Sequence, residues 1–598
     1  AANKIQYVLR TVDSAEADGF SDILEERRRS SDLSHAFRTF NPQPFCGATP
    51  ISAAALNRMV LESQYLSYII QEIMVECDES REALLEEASA LLDEMSQNLQ
   101  LGFIRLLGFA LSKVFKSVFS SIHVNEDGLT RLQQAIQEYP VILMPNHRSY
   151  VDFLVLSYIM FTYDLSIPVI AAGIPLMGMK LIGEIFRRSG AFFIRRAIGS
   201  DKLYWAVLSE YVRTIVRVRI YFIVRGYLSR NDRTVPLKDV GLLLMQSFFK
   251  GEVFDISLVP ISISYERVLE ESLLAHELLG VPKPKETTGA LLKARTVLKE
   301  DYGCMHVCFG NPVSVRDLVK GKINRRQYNL VPRDLPMKPS KETQEFVSGL
   351  AHMIIRLQER NVVLSAWNLM AVVLLQNLQG IDLDLLTHKT LWLRRLALRF
   401  GAHLRWPSKD VMSSSVSLHH SVVRCERGRV YLVEEEGPGP VTVEIEYSSC
   451  YSVVFFLDDV FHHFKFLLEL FSNEFVLIPG QAVQDFEEGC SLLQQSGVID
   501  RSDEEIYVRD NGQETIIFLR AILQPFIESY QVIVVIYTVV QAVLHLHWRS
   551  YECLSSDLQK NVLSALLRMA AVTKTKNEFR VNKSAVKRIW DMLSKIMD

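Results

Sequence analysis

The sequence predicts an α/β protein, a central mixed sheet with an N-terminal helical region and a mostly helical C-terminal region. Three observations carry the prediction. Between residues 123 and 318, four short apolar runs alternate with helical stretches: Val141–Met144, Val169–Ala172, Ala191–Arg195 and Leu258–Ser264. Runs of that length, bounded by turn signals, read as buried strands of a layered sheet. Before them, helical periodicity dominates from Ile51 to Phe119. After them, Lys320–Gln344 carries Pro332, Pro336 and Pro339 among many charges and reads as a linker. The chain therefore divides into 1–122, a helical region; 123–318, the sheet domain; 319–345, the linker; and 346–598, mostly helical.

In order, residues 1–50 are polar and mixed, and Glu25–Arg29 is a charge run on a solvated helix face. Leu84, Leu85, Ala88, Leu91, Leu92 and Met95 fall on one apolar helix stripe. Leu101–Ile122 is more apolar, with Lys113 and Lys116 among its few charges. That pattern fits a core helix or a helix lying in a bilayer interface. Beyond the linker, Thr343–Phe400 is helical, and Trp406-Pro407 opens a polar loop through Ser413-Ser414-Ser415. Arg424–Tyr451 is β-like around the acidic turn Glu434–Pro440, and 452–598 is again mostly helical. No internal repeat is evident.

A chain of 598 residues suggests two to four domains. Hydrophobic residues make up 48% and mean hydropathy is +0.11, enough to bury large cores. The formal net charge of −3 argues against a general nucleic-acid binder. The eight cysteines are scattered without a repeated pair spacing, which fits a reducing interior and no zinc site. The chain begins Ala-Ala, and no signal-peptide pattern is present. The best membrane-span candidate, Tyr530–Leu546, is short and contains Gln531, Gln541 and His545, so it reads as a buried helix. Phe153–Ile182 is broken by Asp164, Pro168 and Pro175. The expectation is a protein that sits on a membrane surface rather than crossing it.

The chemistry centres on Pro145-Asn146-His147-Arg148-Ser149-Tyr150-Val151-Asp152. Val141–Met144 leads in as a strand, and Phe153–Met160 leads out as a helix. Five residues on an ideal helix turn through about 140° from the starting face, so two helical positions would not meet. A turn that bends before the helix brings His147 to Asp152. A carboxylate that orients an imidazole makes it a general base for a hydroxyl.

This stretch resembles the His-x4-Asp motif of the glycerolipid acyltransferases, and most narrowly the branch that acylates dihydroxyacetone phosphate in ether-lipid synthesis. Further runs carry the resemblance. They include Asp22–Arg28, Leu111–Lys116, Pro168–Gly173, Ser189–Phe193, Lys202–Val207 and Leu258–Tyr265. The resemblance is strong over about 18–318 and makes 123–318 the acyltransferase domain. Gly190–Arg196 resembles the family's second motif, where Arg195 and Arg196 would hold a phosphate bidentately, with Arg148 a further candidate. Val259-Pro260 begins the fourth motif, which in the family lines the acyl-donor side; a proline leading a buried strand would equally be structural. Over 187–233, ten Arg and Lys202 face only Asp201, Glu210 and Asp232. That excess of eight positive charges reads as a funnel for a phosphorylated substrate beside an anionic membrane.

The third motif departs. The family shows Phe-x-Glu-Gly-Thr-Arg-Ser-Arg; here Gly226, Ser229 and Arg230 survive, Arg225 replaces the Glu and Leu228 replaces an Arg. A divergent window with intact flanks indicates a local reading-frame error in the deduced sequence or a genuine loss of function. The resemblance thus implies transfer of a fatty acyl group from acyl-CoA to dihydroxyacetone phosphate, with acyl-CoA as co-substrate and no metal or other cofactor. The alternatives are the same chemistry on glycerol 3-phosphate, or a catalytically impaired relative acting as a membrane-bound partner protein. It also implies the lumenal side of the peroxisomal membrane and alkylglycerone-phosphate synthase as partner. The final Ser594–Asp598 is not a Ser-Lys-Leu-type import signal.

Overall fold

The computed structural model describes residues 19–40, 42, 51–149, 151–173, 180–195, 201–217, 222–223, 245, 247–271, 300–323, 340–406, 411–433, 454–478, 480–540, 556–574 and 579–597. The first half of the chain runs β1 (Phe20–Asp22), α1 (Ile23–Arg29), α2 (Asp32–Phe37), α3 (Ala53–Leu61), α4 (Gln64–Cys77), α5 (Arg81–Met95) and α6 (Leu101–Val118). Next come β2 (Ser121–Asn125), α7 (Glu126–Glu138), β3 (Val141–Pro145), α8 (Asp152–Thr162), β4 (Val169–Gly173) and α9 (Lys180–Arg188). They are followed by β5 (Ala191–Ile194), α10 (Lys202–Arg217), β6 (Phe222–Ile223), β7 (Ser257–Tyr265), β8 (Cys304–Phe309), β9 (Val313–Ser314) and α11 (Val315–Val319).

These strands form one mixed sheet in the order β1-β2-β8-β7-β3-β6-β4-β5, with β9 paired to β7. The strands β7, β3, β6, β4 and β5 are mutually parallel, and β8 runs antiparallel to β7. Alternate residues of each strand serve opposite faces. Ile142 and Met144 join the core under α3, α4, α5 and α10. Val141 and Leu143 join the core under α6 and α8. All four apolar runs expected as strands are strands, because both faces of each are buried.

The expected boundaries shift in two places. The region 1–122 is not wholly helical: β1 and the start of β2 lie in it and extend the sheet. β2 and β8 escape the apolar pattern because His123 and His306 sit opposite each other in register and stack at 4.8 Å. Burial pushes the His306 ring down to about 3, so it packs there as a neutral aromatic. The linker also ends early. Helix α12 (Lys341–Arg360) starts within 319–345 and packs on β7, its Leu350, Ala351, Ile354 and Ile355 completing the sheet's core.

The C-terminal half continues with β10 (Val363–Leu364), α13 (Ala366–Leu375), β11 (Ile381–Asp382), α14 (Leu383–Arg399), β12 (His403–Leu404), α15 (Val411–Leu418), β13 (Val423–Glu426) and β14 (Arg429–Leu432). Ser413–Ser415 therefore lie in a helix rather than a loop, with Ser415 buried. Then come β15 (Val454–Phe456), α16 (Leu457–Leu470), α17 (Ala482–Gln495), β16 (Ile499–Arg501) and β17 (Glu505–Val508). The chain closes with α18 (Gln513–Val540), α19 (Ser556–Arg568), β18 (Val572–Lys574), β19 (Phe579–Val581) and α20 (Lys583–Met597). Here a repeat emerges that the sequence hides. A strand, two helices and a hairpin form a three-stranded sheet in the order first–third–second, once as β11-β14-β13 and again as β15-β17-β16. The Arg427-Gly428 turn of the first hairpin has positive φ at both residues, the backbone a tight hairpin requires.

Tyr530, which opens the expected apolar stretch, is buried edge-on against Phe471; residues 541–546 lie outside the described residues. Among the described residues, no helix is long and apolar enough to cross a membrane. Helix α6 satisfies both readings of its sequence, on different faces. Ile104, Leu111, Phe115 and Val118 are core, while Leu101 and Leu106 are 41% and 60% exposed.

Candidate active site

Strand β3 ends at a proline, which has no N–H to extend the ladder. Asn146 takes over. Its backbone N–H donates to the Ile261 carbonyl at 3.0 Å, its Nδ2 donates to the Ile263 carbonyl at 3.1 Å, and its Oδ1 accepts from the Ile263 N–H at 2.7 Å. The turn that carries His147 is thereby fixed to β7. Asp152 then opens α8, and its Oδ2 accepts from the backbone N–H of Arg148 at 2.9 Å and of Ser149 at 3.0 Å. The same oxygen lies 2.7 Å from His147 Nδ1. A carboxylate only accepts, so Nδ1 carries the hydrogen. The expected His147–Asp152 pair is therefore formed, on a turn, with Asp152 buried.

The second carboxylate oxygen is also held: the Tyr265 hydroxyl donates to Asp152 Oδ1 at 2.6 Å. Ser149 Oγ donates to Glu270 Oε2 at 2.6 Å and accepts from the Val151 N–H. Support reaches the site from the C-terminal half. Gln358 of α12 donates through Nε2 to the Met144 carbonyl at 2.6 Å, and its own carbonyl accepts from Ser262 Oγ at 2.6 Å. One buried glutamine thus ties the strand before His147 to the strand that carries Tyr265.

His147 and Asp152 form part of the wall of a cavity lined further by Pro145, Asn146, Phe153, Ile170, Ala171, Ala172, Phe186 and Ala191. About 460 Å³ of space lies within it, part of it open to solvent. Away from the pair its lining is almost wholly apolar. Val259 and Pro260 do not line it. They pair with Leu143 and Met144 inside the sheet, where Val259 is fully buried.

The basic stretch is not a funnel among the described residues, because its guanidiniums are engaged. Arg187 donates to the carbonyls of Asp93, Glu94 and Ser96, and Arg188 pairs with Glu184. Arg213 is buried between Glu210 and Glu252, and Arg217 reaches Glu210 at 3.3 Å. Buried charges require such partners, and the acids come from elements distant in sequence as well as nearby. Arg195 pairs with Glu94 at 3.0 Å and Asp201 at 3.6 Å and lies over the Tyr204 ring. Arg148 differs: it adjoins the His147–Asp152 pair and has no ion-pair partner among the described residues. Burial pushes its guanidinium below the ordinary value, with the Asp152 charge opposing. Arg196, Gly226, Ser229 and Arg230 lie outside the described residues.

The sequence places Asn146 and Tyr265 in motif runs without assigning them a role, and it gives no notice of Gln358 or Glu270. The signals were a polar residue closing an apolar run, in Asn146 and Tyr265; Gln358 sits in an ordinary amphipathic helix and carries none.

Comparison with known proteins agrees with this geometry. The family described as "Acyltransferase" matches residues 123–264, and "Glycerol-3-phosphate acyltransferase C-terminal region" matches 274–444 and 454–594. The chain is 44% identical to a dihydroxyacetone phosphate acyltransferase of Bos taurus, covering 96% of this chain and 93% of that protein. It is 42% identical to the Homo sapiens protein of the same name, with the same coverage. A glycerol-3-phosphate acyltransferase of Pseudomonas syringae pv. tomato is 32% identical over 51% of this chain and 36% of its own length. With its His-x4-Asp pair assembled and near-complete matches at such identity, this chain belongs to the dihydroxyacetone phosphate acyltransferase family.

Proposed function

We propose that this chain transfers a fatty acyl group from acyl-CoA to the hydroxyl of dihydroxyacetone phosphate. The observation that carries the reading is the His147–Asp152 pair in the wall of an apolar cavity. With Nδ1 committed to Asp152, Nε2 is the ring nitrogen that takes the acceptor's hydroxyl proton. The oxygen then attacks the thioester carbonyl, the C–S bond breaks, and the proton passes from the imidazolium to the departing coenzyme A sulfur. Asp152 stabilises the imidazolium between these steps. The thioester is already activated, so the proposal includes no metal or redox cofactor. The apolar lining from Phe153, Ile170, Ala172 and Phe186 suits an acyl chain.

Arg148 is proposed to hold the acceptor phosphate, with Arg196, Gly226, Ser229 and Arg230 assigned to it by family resemblance; Arg195 contributes only by exchanging Glu94 for phosphate. The test pairs the parent chain with Arg148→Ala in detergent micelles with palmitoyl-CoA, offering dihydroxyacetone phosphate and glycerol 3-phosphate separately. The parent is expected to favour dihydroxyacetone phosphate. Arg148→Ala is expected to raise the acceptor KM by about 10-fold or more, the loss of one charge-assisted contact, and to leave the acyl-CoA KM near the parent's. Preference for glycerol 3-phosphate would assign the alternative acceptor. A parallel rise in both KM values would remove Arg148 from the phosphate site.

We further propose that the exposed face of α6 docks on a lipid surface. Leu101 and Leu106 are exposed, Phe103 and Phe109 are half-buried, and apart from His123 the only titratable side chains from Met95 to Asn125 are Arg105, Lys113 and Lys116. Apolar side chains with basic residues beside them suit an anionic bilayer, even with Lys113 and Lys116 paired to Asp32. Leu101→Glu with Leu106→Glu is expected to weaken sedimentation with phosphatidylserine-containing vesicles by roughly 10-fold or more. Unchanged sedimentation would place the contact elsewhere. The lumenal side of the peroxisomal membrane and a complex with alkylglycerone-phosphate synthase remain proposals on resemblance, tested by imaging and co-purification of the tagged full chain.

A further inference from the structure

We infer that Tyr265 is a positioning residue for acyl transfer: from the end of β7 its hydroxyl locks the Asp152 carboxylate in the orientation that serves His147. The inference rests on the general-base reading of His147. Three donors converge on Asp152 Oδ2, namely His147 Nδ1 and the N–H groups of Arg148 and Ser149. Among the described residues, Tyr265 is the one side chain that hydrogen-bonds Oδ1, at 2.6 Å. A carboxylate held at one oxygen can turn about its last bond and exchange its oxygens; one held at both cannot. Tyr265 is itself buried. It is 5% exposed, packs near Phe119, and stands in register with Met305 of β8.

The hydroxyl is also a permanent donor. Burial, then the Asp152 charge, pushes its pKa well above the ordinary phenol value, so it stays O–H at any working pH. Its hydrogen bond shares the carboxylate's negative charge. Without that bond Asp152 attracts the His147 proton more strongly, and the imidazole reaches its neutral, base-competent form only at higher pH. Tyr265 therefore acts on rate and on pH dependence together, through Asp152 and without touching the substrate.

The test is Tyr265→Phe, which keeps the ring in its packing. Loss of a hydrogen bond to a charged group, acting on the transition state, is expected to lower kcat roughly 10- to 100-fold. The KM values should stay near the parent's, and the acid limb of the kcat/KM profile should move to higher pH. Replacing Tyr265 with 3-fluorotyrosine retains the shape and strengthens the donor, and is expected to move that limb the opposite way. Ser264→Ala is the fold control. Its hydroxyl accepts from the Val363 N–H at 3.0 Å, so its loss should lower the melting temperature without shifting the limb. An unshifted limb in both Tyr265 variants, with His147→Ala inactive, would reduce Tyr265 to a packing residue. Full activity in His147→Ala would instead overturn the general-base reading.

Discussion

His147→Ala is expected to lower acyl-transfer kcat/KM by roughly 10²–10⁴-fold, the contribution of a positioned general base, and to leave the fold intact. The two halves of this expectation have separate grounds. The rate falls because the acceptor's hydroxyl is a weak nucleophile until its proton is taken, and among the described residues His147 is the one imidazole lining the cavity. The fold survives because Asp152 keeps its other partners. The N–H groups of Arg148 and Ser149 and the Tyr265 hydroxyl still satisfy the buried carboxylate once the imidazole is gone. Truncation of a neighbouring core residue would not separate the two effects in this way. The measurement is palmitoyl-CoA-dependent acylation of dihydroxyacetone phosphate, with a melting curve on the same preparation. Retention of more than about 1% of parental activity in a folded variant would remove His147 from the role of base.

The parts of this site that sequence could reveal are those written in local patterns. A strand buried on both faces reads as an apolar run, so β3, β4, β5 and β7 were visible. A His and an Asp on either side of a turn can meet only if the turn bends, and the hydrogen bond at 2.7 Å shows that it does. Long-range partners were not visible. Gln358 reaches the Met144 carbonyl across 214 residues and Tyr265 reaches Asp152 across 113, and neither contact has any spacing to betray it. The same blindness explains the basic stretch. Counted along the chain, Arg187, Arg195 and Arg213 are an excess of charge; in the fold, carbonyls of α5 and the carboxylates of Glu94, Glu210 and Glu252 absorb them. The linker boundary failed for a related reason, since proline and charge mark an irregular segment but not the helix whose apolar face completes a distant core.

The largest remaining effect concerns the third motif, at Arg225–Arg230. Those residues lie outside the described ones, but the strand that leads to them is placed. β6 pairs in parallel with β3, Ile142 opposite Phe222 and Leu143 opposite Ile223. The chain therefore leaves β6, two residues before Arg225, at the sheet edge where the His147 turn leaves β3. In open α/β sheets that edge is where ligands bind. On the proposed reading the acceptor's phosphate is held while its hydroxyl faces His147, and a misplacement of about 1 Å costs ~10²-fold in rate. In the family pattern a Glu beside the Gly orients the Arg cluster. Here Arg225 stands in its place and Leu228 removes a guanidinium. We therefore expect Arg225→Glu, Tyr227→Thr and Leu228→Arg together, which restore Glu-Gly-Thr-Arg-Ser-Arg, to raise kcat/KM for the phosphorylated acceptor by at least about 10²-fold. The gain should appear with dihydroxyacetone phosphate varied at saturating palmitoyl-CoA, and should vanish when His147→Ala is added. If the parent chain already matches the restored one, then Gly226, Ser229 and Arg230 suffice, and both the frame-error and the impaired-relative readings fall.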